Sequence, residues 1–181
     1  MRRSTLVTIG VAVAATLALA CGSGSGGSST TGGDSAPGAA TPSKVPVTVP
    51  AGQPMTLTEE LFNSKTVVVV TLTNVKAGVK SGNQFVKPSK GQFITADVTA
   101  EVRDGKYSVN SSMFKLVGAD GTAYDTTTML DRQDISGNDI TSGQKVSGTI
   151  VFDAAAGAEK GAKIALKSWL AEGDAGYWKL P

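Results

Sequence analysis

The chain has 181 residues, with 17 lysines and arginines against 15 aspartates and glutamates. Two of the basic residues, Arg2 and Arg3, lie in an N-terminal leader, so the rest of the chain is formally neutral and does not favour general binding to nucleic acid. The absence of histidine removes the commonest general base and metal ligand. With a single cysteine, the chain cannot form an internal disulfide.

The N-terminal leader has the order of a bacterial secretion signal. Arg2 and Arg3 are followed by an apolar run from Leu6 to Ala20, which is shorter than the roughly 20 residues that a membrane-spanning helix needs. Residues 1–20 are therefore predicted to be a signal peptide.

The single cysteine follows this leader directly. The segment Leu17–Cys21 (LALAC) resembles a bacterial lipobox, in which the cysteine thiol receives a diacylglyceryl group and the leader is cleaved before it. We expect Cys21 to be lipidated and to anchor the protein at an extracytoplasmic membrane surface, because two or three acyl chains bind a bilayer stably. Three alternatives stay open: ordinary secretion after Ala18-Leu19-Ala20, an unmodified cysteine, and a leader retained as the anchor.

Residues 21–52 are predicted to be a disordered tether that begins at the lipidated cysteine. The segment is rich in Gly, Ser and Thr and then in Pro, and it has no aromatic residue, so it cannot bury enough apolar surface to fold alone. Val45, Val47 and Val49 alternate and are also compatible with an edge strand, although Pro46 weakens that interpretation.

Residues 53–181 are predicted to form one domain with the period-two pattern of β-strands. Thr66–Val75 is rich in β-branched residues, and Gln92–Val102 alternates strictly between apolar and polar side chains. Asp120-Gly121 is typical of a two-residue hairpin turn. Seven to nine short strands with loop-length gaps favour an all-β, antiparallel β-sandwich.

Part of this domain resembles a known family. The residues that carry the resemblance are Met113–Leu116, Asp120–Tyr124, Asp134–Gly137, Gly143-Gln144, Ser147–Ile150 and Phe152-Asp153. They are similar to the mycobacterial immunoprotective extracellular protein family, and the likeness covers roughly residues 91 to 181. It implies an immunoglobulin-like β-sandwich, an extracytoplasmic location and possible antigenicity, and it carries over no catalytic residues.

Two groups of side chains are candidate ligand sites. Asp131, Asp134 and Asp139 lie in one predicted loop, and clustered oxygen ligands are typical of calcium sites; a solvated acidic loop is the alternative, because DRQDISGND lacks the EF-hand pattern. The aromatic residues Trp169, Tyr177 and Trp178 lie near the C-terminus. They are either a platform for sugars or peptides or part of the core.

Charge is unevenly distributed along the domain. Between Leu61 and Ala96 there are five lysines and no acid, whereas five aspartates lie between Asp120 and Asp139. If these segments form opposite ends of the sandwich, the basic end is suited to anionic lipid headgroups or acidic wall polymer. Solubility alone is the alternative explanation.

Ser112 and Lys115 have the Ser-x-x-Lys spacing of serine acyltransferases, but that chemistry requires both side chains on one helix face. The strand pattern here does not provide such a face. The hypothesis that follows is a lipoprotein presenting a non-catalytic, cofactor-free binding domain to an envelope protein or cell-wall component. The alternatives are a calcium-binding or small-ligand-binding lipoprotein for solute delivery and, third, a cell-wall-active enzyme.

Overall fold

The computed structural model describes residues 46–61, 64–168 and 173–181, which all lie in one compact unit, Thr41–Pro181. Eleven strands account for most of them. In chain order they are β1 (Val47–Pro50), β2 (Pro54–Leu61), β3 (Ser64–Val79), β4 (Gln92–Asp104), β5 (Lys106–Asn110), β6 (Phe114–Val117), β7 (Ala123–Thr127), β8 (Ser136–Thr141), β9 (Lys145–Ala154), β10 (Lys163–Lys167) and β11 (Asp174–Lys179). A 3-10 turn, Ser111–Met113, separates β5 from β6.

Nine strands form one hydrogen-bonded sheet in the order β1-β11-β10-β6-β7-β9-β4-β3-β2, and β5 pairs with β8. The two halves of the long sheet face each other across one hydrophobic core. Buried side chains of β6, β10 and β11 from one half belong to the same cluster as those of β2, β3, β4 and β9 from the other half. The predicted all-β sandwich is therefore confirmed.

The structure has more strands than the seven to nine predicted, and its sheet is mixed. β1 pairs in parallel with β11, so Val47 lies opposite Gly176 and Pro50 opposite Lys179. This strand precedes residue 53, the predicted start of the domain. Proline is tolerated here because β1 is an edge strand.

β3 and β4 form the centre of their half of the sandwich, as their sequences predict. The alternating residues Ile94, Ala96, Val98, Ala100 and Val102 of β4 are all buried. β4 pairs along its length with β3 on one side and β9 on the other. The period-two pattern thus fixes which face of β4 meets the core.

Gly148 allows a loop to cross β9 at close range. A Cβ atom at this position would overlap the backbone of Ile135, and Asp134 forms a parallel bridge with Thr149 beside it. Ile135 is fully buried where the loop crosses. Glycine is required at this position because the crossing loop occupies the space that a Cβ atom would need.

In the described ranges, no helix is long and apolar enough to cross a membrane. The predicted signal peptide, Cys21 and most of the predicted tether lie outside these ranges, so lipidation of Cys21 stays a prediction.

Candidate functional site

The predicted aspartate cluster does not assemble. Asp131 accepts hydrogen bonds from Ser81 Oγ at 3.1 Å and Gly82 N at 2.8 Å, whereas Asp139 lies in β8, where its amide donates to Ser108 Oγ at 3.0 Å. In the part of the chain that the structure describes, no group of three histidine, cysteine, aspartate or glutamate residues is placed to hold a metal ion.

Asp134 occupies a different environment from the other two aspartates. Its Oδ2 accepts a long bond from Thr128 Oγ1 at 3.4 Å, and its Oδ1 is buried without a hydrogen-bond partner among the described groups. The residue is only partly buried as a whole. Its backbone role, bridging to Thr149 of β9, is the clearest feature of this position.

The C-terminal aromatic residues also separate. Trp178 is fully buried, its ring centroid is 6.4 Å from that of Phe114, and its Nε1 donates to the Gln53 carbonyl at 3.0 Å. Trp178 therefore belongs to the core and offers no accessible face to a ligand. Trp169 lies outside the described residues.

Tyr177 is partly exposed, but its polar contacts are internal. Its hydroxyl donates to Asp174 Oδ2 at 2.9 Å, and Lys163 Nζ lies 3.9 Å from the ring centroid. The hydrogen bond to Asp174 is the main reason why the pKa of Tyr177 is raised. The lysine covers one ring face, so Tyr177 is a poor stacking platform in this conformation.

Ser112 and Lys115 do not form a Ser-Lys pair. Ser112 lies in the 3-10 turn, not in a strand, and its hydroxyl donates to Asn110 Oδ1. Lys115 Nζ lies 3.2 Å from Asp125 Oδ1. Each polar group is thus engaged with a different partner, and Lys115 is not placed to act as a base for Ser112.

Two exposed apolar side chains stand out on the surface. Phe85 is 84% exposed and Leu130 is 80% exposed. Phe85 lies in the β3–β4 loop (residues 80–91), and Leu130 lies in the turn between β7 and β8 that covers residues 128–132. Neither residue is among the candidates that the sequence predicts.

These two segments contact each other, and a small hydrophobic cluster packed against both of them holds them in place. The Asp131 carboxylate binds the start of the β3–β4 loop through Ser81 and Gly82. Buried Met129 packs in a small hydrophobic cluster with Phe93 and Val151, and Val86 packs against the same cluster. In each segment, one apolar residue is thus packed while its neighbour in sequence, Phe85 or Leu130, faces solvent.

Basic side chains accompany the two exposed apolar residues. Lys80, Lys87 and Arg132 are all exposed, and none of them forms an ion pair within the described ranges. We call Phe85, Leu130 and these three cations the loop patch. The signal in the sequence was a pair of adjacent apolar residues in each loop, Phe85-Val86 and Met129-Leu130.

The nearby acids are occupied by hydrogen bonds. The amide of Gly82 is the main reason why the pKa of Asp131 lies below its ordinary value. Asp153 accepts from the Ser89 amide at 2.7 Å and the Lys90 amide at 2.9 Å. Asp131, one of the five aspartates of the acidic segment, therefore contacts the basic β3–β4 loop, so the two segments are not fully separated at opposite ends of the sandwich.

An open groove of about 680 Å³ lies elsewhere, between the ends of β1 and β11 and the bulged part of β3. It is lined by residues 48–52, 73–75 and 179–181, and Lys179 is its one charged side chain among these. Most of the lining residues are apolar, so the groove has fewer distinctive chemical features than the loop patch.

Comparisons with known proteins place the chain in a family without assigned activity. No curated protein matches it in sequence. Its fold is similar to that of MPT63, a secreted protein from Mycobacterium tuberculosis, with a TM-score of 0.59 and 23% identity over 76% of this chain and 99% of that one. It is also similar to the YjhA protein from Bacillus subtilis, with a TM-score of 0.50 and 18% identity over 67% of this chain and 83% of that one.

These two likenesses support the β-sandwich fold. The family model described as a domain of unknown function, DUF4352, matches residues 58–174, which is more than half of the chain. This range contains β3 to β10 and the whole loop patch. The chain therefore belongs to the DUF4352 family.

Proposed function

We propose that this protein is an extracytoplasmic lipoprotein, anchored through Cys21, whose β-sandwich binds an envelope component through the loop patch and catalyses no reaction. The leader and lipobox support the anchor, and residues 21–52 supply a tether of roughly 30 Å on coil scaling. The secreted nature of MPT63, which shares the fold, is consistent with this location.

The exposure of Phe85 and Leu130 on two fixed turns is the observation that carries the proposal. Fully burying a side chain of this kind is worth about 1.5–3 kcal/mol, and the fold does not use this energy at either position. Because the two segments are already held by Asp131 and the Met129 cluster, little conformational entropy is lost when a partner binds them. The patch is therefore suited to binding.

Photocrosslinking in intact cells tests this proposal. A photoreactive benzophenone residue in place of Phe85 is expected to give one recurrent adduct, and the same residue in place of Leu130 is expected to give the same adduct. Ser142, exposed in the β8–β9 turn, is the matched control position. Absence of an adduct at residue 85, or the same adduct at residues 85 and 142, would refute binding through the loop patch.

A further inference from the structure

We propose that the partner of the loop patch is an anionic lipid bilayer, with Phe85 and Leu130 entering the interfacial region and Lys80, Lys87 and Arg132 contacting lipid phosphates. This inference rests on the proposed function, because it names the partner of the same site.

The composition of the patch matches a membrane surface better than a protein partner. Protein interfaces are depleted in lysine and have a sizeable apolar centre, whereas the patch has two isolated apolar side chains among cations. Apolar residues beside lysine and arginine are typical of elements that lie at the interface of an anionic bilayer. The apolar groups enter the acyl boundary while the longer cations remain at the level of the phosphates.

Charge at this site favours anions. The β3–β4 loop contains Lys80, Lys87 and Lys90 and no acid. Lys90 Nζ lies 5.5 Å from the ring centroid of Tyr124, so it is partly engaged with the protein. The two acids that touch the loop, Asp131 and Asp153, accept hydrogen bonds from it and keep their negative charge. Lys80 and Lys87 form no ion pair in the described ranges, so both can contact an external anion.

Because contacts within the protein hold the loop in a fixed position, the fold sets how deeply the loop patch enters a bilayer. Asp131 holds the start of the loop and Asp153 holds its end, while Val86 packs inward beside Phe85. The Phe85 amide donates to Asn83 Oδ1 at 3.0 Å, which fixes the turn that carries the ring. A rigid turn presents its exposed apolar residue without the entropic cost of ordering a mobile loop.

The predicted tether is compatible with this contact. Cys21 lies 26 positions before Val47, the first residue of β1. On coil scaling such a segment spans roughly 25–30 Å. An eight-residue strand such as β2 has a similar length. Because the segment is about as long as a strand of the sandwich, we expect that it lets the domain turn its loop patch towards the membrane that holds its anchor.

A single-site fluorescent probe tests this inference. In the full chain carrying Cys21→Ser, Phe85→Cys supplies the only thiol for nitrobenzoxadiazole, and Ser142→Cys supplies the matched control. With vesicles that mix phosphatidylglycerol and phosphatidylcholine, the probe at residue 85 is expected to brighten and shift to the blue. The probe at residue 142 is expected to remain unchanged, and pure phosphatidylcholine is expected to give a much weaker response at residue 85.

Charge substitutions then test the electrostatic part. Lys80→Gln/Lys87→Gln is expected to weaken vesicle binding by about fivefold per lysine, or on the order of 30-fold together. Lys106→Gln/Lys145→Gln, at the other end of β4, is expected to change binding by less than about twofold. Equal effects of the two pairs would overturn the inference.

Three further outcomes would also overturn it. They are no response at residue 85, equal responses at residues 85 and 142, and a response to soluble inorganic polyphosphate as large as that to vesicles. If the chain attaches to vesicles through its leader alone, residue 85 stays in water and its probe gives no response, which is the first of these three outcomes. If the probe fails but photocrosslinking at residue 85 still succeeds in cells, the lipid assignment is wrong and binding through the loop patch stands.

Discussion

At the scale of single residues, Tyr107 is the clearest case of a buried polar atom that lacks a partner. Its side chain is 4% exposed, and its hydroxyl has no hydrogen-bond partner among the described groups. Burial raises the pKa of Tyr107, and the negative charge of Glu59 raises it further. The hydroxyl is therefore desolvated without compensation and costs stability.

We predict that Tyr107→Phe increases the free energy of unfolding by about 1 kcal/mol, because it removes this desolvated hydroxyl. Urea unfolding at neutral pH measures the change. Tyr177→Phe is the matched control, and it should lower stability because it removes the hydrogen bond to Asp174. A loss of stability in Tyr107→Phe as large as in the control would show that the Tyr107 hydroxyl is hydrogen-bonded.

The same substitution has a pH signature. The pKa of Tyr107 is raised in the folded chain above its ordinary value of 10.0, so the unfolded chain ionises at this residue before the folded chain does. Ionisation of Tyr107 therefore has no effect on stability well below pH 10.0 and lowers stability as the pH rises beyond it. Stability of the Tyr107→Phe variant should therefore fall less steeply than that of the unmodified chain in alkaline solution.

Sequence patterns at single positions predicted the core better than the surface. The alternation in Gln92–Val102 predicts that Ile94, Ala96 and Val98 share one face of a strand, and all three are buried. The sequence left two alternatives for Trp178, a place in the core or in a ligand platform, and the residue is buried in the structure. Phe85 was not identified because a lone aromatic residue in a loop has no periodicity, and its exposure depends on which neighbour the tertiary fold packs.

At the scale of elements, the β3–β4 loop is held by side chains from two other parts of the chain. Asp131 binds its first residues and Asp153 binds Ser89 and Lys90. Burial raises the pKa of Asp153, but the hydrogen bonds from Ser89 and Lys90 outweigh this effect, so the pKa lies below its ordinary value of 3.8. These contacts are therefore strongest when the carboxylate is ionised.

We predict that Asp153→Ala loosens the second half of the β3–β4 loop. Hydrogen exchange at the Ser89 and Lys90 amides should accelerate by roughly fivefold to tenfold, corresponding to about 1 kcal/mol of lost hydrogen bonding. In the unmodified chain, the lowered pKa means that this stabilisation is present above pH 3.8 and is lost as the pH falls through the folded-state pKa.

Asp125→Ala is the matched control for this measurement. Asp125 is also a strand carboxylate, but it is 81% exposed and pairs with Lys115, so its removal should leave exchange in the β3–β4 loop unchanged. Equal acceleration in both variants, or none in Asp153→Ala, would contradict the role assigned to Asp153.

Strand prediction succeeded where the pattern was long and regular. β3 and β4 are long and rich in β-branched or alternating residues, so both were recognised. β8 has the sequence SGNDIT, and each of its residues is exposed or partly exposed. Its pairing with β5 is a tertiary effect that local propensity does not encode. The parallel pairing of β1 with β11 joins the two ends of the domain, and a local sequence pattern does not predict this pairing either.

At the scale of the whole molecule, the sandwich separates the core from the surface that is available for binding. One core cluster joins both halves of the sheet, whereas the small cluster of Phe93, Met129 and Val151 supports the loops beside it. The period-two strand pattern and the family resemblance predicted the all-β sandwich. The position of the loop patch depends on how the β3–β4 loop meets the connection between β7 and β8, two strands that do not pair with each other, and no single segment of sequence specifies that contact.

Binding of an envelope component through the loop patch is the central claim, and hydrogen–deuterium exchange tests it most directly. The chain is compared with and without the isolated envelope of the cells that produce it. Protection is expected in residues 80–91 and 128–132, while the β8–β9 turn at residues 141–145 stays unchanged. Protection confined to the groove residues 48–52 and 179–181, or no protection in either loop segment, would contradict the claim.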